Sequence, residues 1–488
     1  MIGWLVSLWE ALEAVIVAIS GVVLTTIAPP SSSTPLRLEP CHVENLAEQV
    51  LCGTFEVFED RDTGDGRRIK LHITVLPALG RTVRPDPLVI LAGGPGQGAR
   101  SYAPLVPRFF QRVRRSRDIV LVDVRGTGDS SPLKCPRDEA SVGLLVAMED
   151  PADTARQCLK SLEADPRFYT HHYSMADLRD VVQQLGYRQV NLWGGSWGTR
   201  SALVFAATYP DLVRRVVLDG AVATSMDFPW SYPTDAARAL DRLFRDCDSD
   251  PRCREAFPTA RDDVSRWLLS LEGQPVVATI RHPRSAAALK LHVDRKAVTE
   301  VIRAALYSPL DASRIVMAIQ HAARGDLAPI VAMAEQASSW SVDTMALGQT
   351  FTILCSEDVG RHAAPAARAD TMFGQGSIDF WVESCTLWPK GRGLAVSAQT
   401  VLEIPALILS GDLDPVTPPS RGEDMRRHFP NSLHVVAPGG SHNVSFSGCI
   451  PRLIAEFFDV DDWRTLDPSC AGAIARPPFV TSLAGGRP

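Results

Sequence analysis

Continuous apolar runs separated by stretches with helical spacing cover much of the chain and predict an α/β fold. Residues 87–92 (PLVILA) are apolar without interruption and then break into GGPGQG, and DIVLVDVRGTG from Asp118 repeats this pattern. Residues 71–76 (LHITVL) alternate as a strand does, while 175–186 (MADLRDVVQQLG) have helical spacing and end on glycine. Strands that alternate with helices predict a mostly parallel central sheet with helices on both faces.

The pattern changes at about residue 221, and this change predicts the domain organisation. A long, mostly helical stretch follows, and buried-strand patterns resume only at 404–418 (IPALILSGDLDPVTP) and 432–442 (SLHVVAPGGSH). We therefore expect an α/β core interrupted by one helical insertion that acts as a lid. The predicted division is a signal-like segment with linker (1–36), the first part of the core (37–220), the helical lid (221–392) and the second part of the core (393–488).

The N-terminus resembles an export signal. Residues 14–28 (AVIVAISGVVLTTIA) form an apolar run that is too short for a comfortable membrane span, and PPSSSTP follows as a linker. Glu10 and Glu13 precede the run where positive charges belong, and the first basic residue is Arg37. A different start, an uncleaved anchor and a buried N-terminal helix are the alternatives. We expect an exported protein without a stable membrane span after cleavage.

Ten cysteines fall into near neighbours along the chain, which favours disulfides and an oxidising compartment, periplasmic or extracellular. Neighbour pairing is a hypothesis, and ten reduced, buried thiols are the alternative. No cysteine or histidine spacing typical of zinc sites occurs, so we expect no metal.

The charge of the chain gives no support for nucleic-acid binding. The net charge is −6, and the basic cluster at 112–117 lies among apolar residues at helical spacing, as on a solvated helix face.

The sequence GGSWG at 194–198 is the first candidate for chemistry. It lies between a strand-like run and a helix of small residues. This is the context of the nucleophile elbow, where a serine is held in a strained conformation and glycines two positions away avoid clashes. Ser196 is therefore the candidate nucleophile, and a serine that caps an ordinary turn is the alternative.

A nucleophilic serine needs a base and a carboxylate that orients the base. The loop GDLDPVTP follows a strand and offers Asp412 and Asp414, and GGSHNV follows a later strand and offers His442. We prefer Asp414, which lies further into the loop and precedes a rigid proline. The chain order Ser, Asp, His is that of the α/β-hydrolases.

Backbone amides must also stabilise the oxyanion of an acyl-transfer intermediate. The amide of Trp197 directly follows the nucleophile, and the loop after 87–92 begins with Gly93 and Gly94. We expect one donor from each.

Five motifs together resemble a known family. GGPGQG, DVRGTGDSSP, GGSWGT, GDLDPVTP and GGSHNV are similar to those of the S33 serine exopeptidases of the α/β-hydrolase superfamily, the proline iminopeptidase and tripeptidyl aminopeptidase group. The resemblance extends from about residue 89 to 442, and CDSDPRCREAFP and ILCSED in the insertion are similar to segments of the secreted, tripeptidyl-type branch. Ala92 stands where the iminopeptidases usually have histidine, which favours the secreted branch over strict prolyl specificity.

The resemblance implies the same triad and adds further roles. It implies Ser196 as nucleophile, Asp414 as orienting carboxylate and His442 as base, and places the oxyanion hole at Trp197 and Gly94. Family members take the substrate's free amino terminus with acidic groups from the lid, so Glu357 and Asp358 are the implied substrate-binding residues. Two adjacent acids capping a helix are the alternative.

Three functions compete on the sequence alone. The leading hypothesis is a serine aminopeptidase that releases short N-terminal units, prolyl or tripeptidyl, from peptides through an acyl-enzyme. A carboxylesterase or amidase acting on small esters or amides is the rival, because fold and triad do not determine the acyl group. A non-catalytic binding module is the third hypothesis, and the complete set of Ser, Asp and His argues against it. No cofactor is expected, and the oligomeric state stays open.

Overall fold

A central β-sheet organises the computed structural model, which describes residues 36–136, 150–281, 286–361, 371–374 and 376–484. The strands in chain order are β1 (Glu39–Cys41), β2 (Val50–Asp60), β3 (Asp65–Leu76), β4 (Leu88–Leu91), β5 (Ile119–Val122), β6 (Val190–Gly195), β7 (Val213–Asp219), β8 (Val276–Arg281), β9 (Ala288–Val293), β10 (Ala406–Gly411) and β11 (Ser432–Ala437). Nine of them form one sheet in the order β1-β2-β3-β5-β4-β6-β7-β10-β11. The six strands from β5 to β11 in this order are parallel, and β1 to β3 are antiparallel.

Helices connect the parallel strands, as the sequence predicts. The α-helices of the described residues are α1 (Gln111–Arg114), α2 (Pro151–Ser161), α3 (His171–Gln184), α4 (Trp197–Thr208), α5 (Tyr232–Ser249), α6 (Pro251–Ala256), α7 (Ala260–Ser270), α8 (Arg295–Leu306), α9 (Pro309–Ala323), α10 (Ala328–Thr344), α11 (Leu347–Glu357), α12 (Gly376–Leu387), α13 (Pro419–Arg426) and α14 (Ile450–Asp459).

Both faces of the sheet are buried, which explains the unbroken apolar runs. Within β4, Val89 and Leu91 pack into the core that includes α3 and α4, while Leu88 and Ile90 pack into the core that includes α1 and α14. Successive side chains of a strand point to opposite faces, so each run supplies two cores. The predicted sheet with helices on both faces is confirmed.

The antiparallel edge extends beyond the sequence prediction. Only residues 71–76 were expected as a strand there, whereas β2 and β3 pair over most of their lengths in a hairpin. Charged residues in the outer half of β3 conceal its alternation, because that half is exposed and the inner half is buried.

The residues between β7 and β10, 220–405, are here called the β7–β10 segment. It carries helices α5 to α12 and a second core, formed mainly by apolar side chains of α5 to α10 with β9 and completed by Phe479 near the C-terminus. It also contains the β8–β9 hairpin, which the sequence did not predict, since β8 is mostly exposed and lacks a buried-strand pattern.

All ten cysteines are paired with their neighbours along the chain, as the neighbour-pairing hypothesis states. The disulfides are Cys41–Cys52, Cys135–Cys158, Cys247–Cys253, Cys355–Cys385 and Cys449–Cys470. Five disulfides indicate an exported protein.

The apolar run at 14–28, which carries the signal prediction, lies outside the described residues. Among the helices that the structure describes, none combines the length and apolarity that a membrane crossing requires.

Candidate active site

Ser196 occupies a strained turn between β6 and α4. Its backbone has φ 54° and ψ −121°, a region that non-glycine residues rarely adopt. The flanking glycines are needed for steric reasons: a Cβ at Gly194 would lie 2.4 Å from the carbonyl oxygen of Gly198, and one at Gly198 would lie 2.1 Å from that of Leu91. The turn therefore has the geometry that the sequence GGSWG predicts.

Asp414 and His442 come together from loops after two neighbouring parallel strands, β10 and β11. The Nδ1 atom of His442 donates to Oδ2 of Asp414 at 2.8 Å, and both side chains are buried. Asp412, the other sequence candidate, instead forms an ion pair with Arg242 and is partly exposed. The structure thus pairs His442 with Asp414, the aspartate that the sequence analysis preferred.

Asp414 is held as an ionised acceptor. Its Oδ1 accepts from the amides of Val416 and Thr417, each at 2.8 Å, and its Oδ2 also accepts from the Thr417 hydroxyl at 2.6 Å. Burial by itself would raise the pKa of Asp414, but the charge and hydrogen bond of His442, together with the bonds from Thr417, hold this pKa below its usual value.

His442 is shifted in the opposite direction. Burial disfavours the imidazolium, yet the charge and hydrogen bond of Asp414 and the charge of Asp219 raise the pKa of His442 above its ordinary value, against an opposing contribution from Arg303. Nδ1 bonded to Asp414 leaves Nε2 as the nitrogen available to accept a proton from a nucleophile.

Asp219, at the end of β7, connects the serine turn to the histidine loop. Its carbonyl oxygen accepts from the amide of Ser196 and from Nδ2 of Asn443, both at 2.7 Å. Its carboxylate accepts from the amides of Val444 at 2.9 Å and Ser445 at 2.7 Å. Burial raises the pKa of Asp219 to about 6, although these bonds lower it in part.

The serine and histidine loops are neighbours, although no hydrogen bond joins Ser196 Oγ to His442 Nε2 within the described residues. Gly220, beside the shared Asp219, approaches the imidazole closely, since a Cβ there would lie 3.3 Å from Cε1 of His442. Catalytic hydrogen bonds are often long without substrate and shorten in the complex.

The glycine loop after β4 packs on the serine turn. A Cβ at Gly93 would lie 3.2 Å from Cβ of Ser196, and Gly94 has φ +113°, which favours glycine. The hydroxyl of Thr350 donates to the carbonyl of Pro95 at 2.5 Å, so α11 holds this loop from the other side. Trp197 begins α4, where the first amides have no intrahelical acceptor.

Glu357 and Asp358 each have a buried partner, but Oδ2 of Asp358 has no hydrogen bond among the described residues. Glu357 accepts from the backbone amide of His171 at 2.8 Å and lies 2.5 Å from its Nδ1. Nε2 of the same histidine lies 3.0 Å from the hydroxyl of Ser201. Asp358 forms an ion pair with Arg200 at 2.6 Å, and both side chains are completely buried.

The sequence analysis missed two groups that surround the predicted residues. Thr417 lies three residues after Asp414, a spacing at which a hydroxyl can bond a carboxylate, and this signal was present in DPVT. The carboxylate of Asp219 accepts hydrogen bonds from the amides of Val444 and Ser445, which lie more than 220 positions further along the chain. No local sequence pattern could therefore have shown its role. Across the described ranges, no three His, Cys, Asp or Glu side chains form a group that could hold a metal.

Two family models match the chain. One, described as alpha/beta hydrolase fold, covers residues 86–248, and one described as TAP-like protein covers residues 371–470. The first includes the glycine loop and the serine turn, and the second includes the aspartate and histidine loops.

Curated relatives extend the similarity over most of the chain. The serine protease Hip1 of Mycobacterium tuberculosis is 25% identical, with 92% of this chain and 94% of the relative covered. The tripeptidyl aminopeptidase of Streptomyces lividans is 29% identical over 39% of each chain. A crystal structure of proline iminopeptidase from Mycobacterium smegmatis is 16% identical with a TM-score of 0.41, and covers 83% of this chain and 97% of that one.

Proposed function

The chain belongs to the S33 serine peptidases of the α/β-hydrolase superfamily, and from that membership we propose that it is an aminopeptidase releasing short N-terminal units, of prolyl or tripeptidyl type, from peptides. The proposed compartment is the periplasm or the outside of the cell, after cleavage of the N-terminal segment. The relatives' names support peptide cleavage, and the size of the released unit is part of the proposal.

The proposed mechanism is acyl transfer from peptide to serine to water. His442 Nε2 takes the proton of Ser196 as Oγ attacks the scissile carbonyl, and the amides of Trp197 and Gly94 stabilise the oxyanion. His442 then gives the proton to the leaving amine, and the acyl-enzyme forms. Water attacks the ester, with His442 again accepting a proton, and the free acid leaves as Ser196 recovers its hydrogen.

The observation that carries this proposal is the serine turn beside a paired aspartate and histidine. Ser196 has the backbone conformation of a nucleophile elbow, and Asp414 fixes the tautomer of His442 that can act as a base. Asp219 bonds to both loops, so the rigid sheet sets their relative positions.

Recognition of a free amino terminus requires an available carboxylate. Glu357 and Asp358, the residues implied by the family resemblance, are paired with His171 and Arg200, although Oδ2 of Asp358 is buried without a hydrogen-bond partner among the described residues. We favour Asp227, whose Oδ1 is likewise buried without a hydrogen-bond partner and whose carboxylate forms no ion pair among the described residues.

Asp227 lies in the chain between two residues that pack with the predicted oxyanion residue Trp197. Its neighbours Met226 and Phe228 belong to the same apolar cluster as Trp197, and the rings of Phe228 and Trp197 are 6.4 Å apart. A carboxylate oxygen that lacks a partner in such a place can gain a charge-assisted bond from an ammonium group. We therefore assign amine recognition to Asp227, with the β7–β10 segment acting as the lid that limits substrate length.

The test is hydrolysis of a fluorogenic panel. It pairs free-amine and acetyl-blocked versions of prolyl, alanyl and tripeptidyl amides with a short-chain ester. We expect turnover of free-amine peptides, and its loss in Ser196→Ala with the melting temperature unchanged. Turnover of the ester alone would make the protein a carboxylesterase, and full activity of Ser196→Ala would refute the nucleophile.

The panel also tests Asp227. Asp227→Asn should raise KM for free-amine substrates by about tenfold or more, because one charge-assisted bond is lost, and should leave blocked substrates unaffected. Asp358→Asn is the matched control: we expect a lower melting temperature and an unchanged KM. The reverse pattern would return the role to Asp358.

A further inference from the structure

The β7–β10 segment contacts the histidine loop at two consecutive residues. The hydroxyl of Ser441 donates to the carbonyl oxygen of Leu306, the last residue of α8. The next residue, Tyr307, places its ring against the imidazole of His442, with centroids 4.8 Å apart and planes inclined by 68°. An edge-to-face contact of this kind restricts the tilt of both rings.

Tyr307 is itself held from behind. Nη1 of Arg303 donates to its hydroxyl at 3.0 Å, and the guanidinium lies 5.3 Å from its ring. Arg303 is in turn paired with Glu300 at 2.8 Å, and Glu300 accepts from the hydroxyl of Ser377 at 2.5 Å. Two helices of the segment, α8 and α12, thus fix the tyrosine ring.

The imidazole needs such a support. Asp414 bonds only Nδ1, and a ring held at one atom can still tilt about that bond and move Nε2 away from Ser196. A displacement of about 1 Å at a reacting group can lower a rate by about a hundredfold. The contact with Tyr307 limits this tilt.

We propose that Tyr307 is a positioning residue for His442. Through the ring of Tyr307, the β7–β10 segment aligns the imidazole of His442 with Ser196. This inference rests on the proposed function, since it assigns His442 the role of base. Charge is consistent with it: Arg303, behind the tyrosine, opposes the raised pKa of His442 and so favours the neutral imidazole that a base requires.

The test compares Tyr307→Phe, which keeps the ring, with Tyr307→Ala, which removes it. Two rates are measured: steady-state hydrolysis of the best peptide amide, and covalent labelling of Ser196 by a fluorophosphonate, which needs the base but no peptide. The matched control is Tyr209→Ala, at the far end of α4, where the ring makes a similar edge contact with Phe205 at 5.4 Å.

We expect Tyr307→Ala to lower kcat and the labelling rate by about tenfold or more while KM changes by less than about twofold. Tyr307→Phe loses the hydroxyl bond but keeps the ring and its contact with Arg303, so both rates should fall much less than in Tyr307→Ala. Tyr209→Ala should retain both rates. If Tyr307→Ala fails to fold, Tyr307→Leu keeps the apolar volume without the aromatic edge and should show the same loss of labelling.

Two results would overturn the inference. An increase in KM alone, with normal labelling, would make Tyr307 a wall of the substrate site, and unchanged rates in Tyr307→Ala would leave it without a role. A wild-type protein that neither hydrolyses the panel nor reacts with the fluorophosphonate would instead refute the proposed function, and this inference with it.

Discussion

At the residue scale, the chemistry of the site depends on two buried groups with opposite pKa shifts. Asp414 is kept ionised by His442 and Thr417, and the pKa of His442 is raised chiefly by Asp414. The negative charge of Asp414 therefore increases the proton affinity of the neighbouring imidazole. This is the arrangement that nucleophilic serine catalysis requires.

The raised pKa of His442 predicts the acid limb of the pH profile. The base must be neutral to accept the proton of Ser196, so kcat/KM should fall as the pH drops through the pKa of His442. Because this pKa lies above the ordinary histidine value, we expect the midpoint above about 6.5. A pH series of kcat/KM on a peptide amide measures it.

Thr417→Val offers a matched comparison for this profile. The variant removes a hydroxyl that stabilises the Asp414 carboxylate, so kcat/KM should fall at every pH, while Thr417→Ser should behave as the wild type. A wild-type midpoint below the ordinary histidine value would contradict the pairing described for His442.

At the element scale, the serine turn is determined by how closely β4, β6 and α4 approach one another. Trp197 and Gly198 begin a helix immediately after a strand, and the backbone of α4 passes the end of β4 without room for a side chain. The glycines of GGSWG were recognisable in the sequence because this close approach permits no other residue.

Gly198→Ala should destabilise the protein. The added Cβ would meet the carbonyl group of Leu91, which is backbone and cannot swing aside, and overpacking of this kind costs about 1–3 kcal/mol. Urea unfolding of the variant measures the loss.

The control for that experiment is Gly472→Ala, since a Cβ at Gly472 meets no atom within 4 Å. We expect its free energy of unfolding to equal that of the wild type. Equal stability of the Gly198 and Gly472 variants would show that α4 can move away from β4.

At the scale of the whole molecule, the β7–β10 segment contacts the aspartate, glycine and histidine loops of the candidate site. Arg238 of α5 donates to the carbonyl of Asp414 at 2.7 Å, and the amide of Ala346 donates to the carbonyl of Gly96 at 3.0 Å. Leu306 and Tyr307 contact the histidine loop. The segment is therefore part of the structure that positions the candidate site.

The disulfides should stabilise the molecule according to the length of chain that each closes. Cys355–Cys385 spans 30 residues and Cys247–Cys253 spans 6. Chain entropy predicts that removing the first with paired serine substitutions costs about 3–4 kcal/mol, and removing the second about 2 kcal/mol. Urea unfolding without reductant measures both.

The chain-entropy explanation is tested by which of the two disulfides causes the larger loss of stability when it is removed. A larger loss for Cys247–Cys253 would mean that strain or local packing, rather than chain entropy, governs the contribution of the disulfides.

The sequence by itself determined the parallel sheet and the candidates Ser196, Asp414 and His442, whereas it offered the pairing of neighbouring cysteines only as a hypothesis. Each rests on local information: apolar runs report burial on both faces, and a functional loop directly follows its strand. The outer half of the antiparallel edge escaped prediction because its exposed residues are charged, and the β8–β9 hairpin because it is a mostly exposed pair of strands outside the central sheet.

Only the tertiary structure decided what surrounds the candidates. Asp219 links the serine turn to the histidine loop, and the ring of Tyr307 packs on His442. Glu357 and Asp358 are buried against partners that are distant in the chain. An acidic pair in a helical stretch looks the same whether it faces a substrate or a buried arginine and histidine. The difference lies in packing between the core and the β7–β10 segment, which no local pattern encodes.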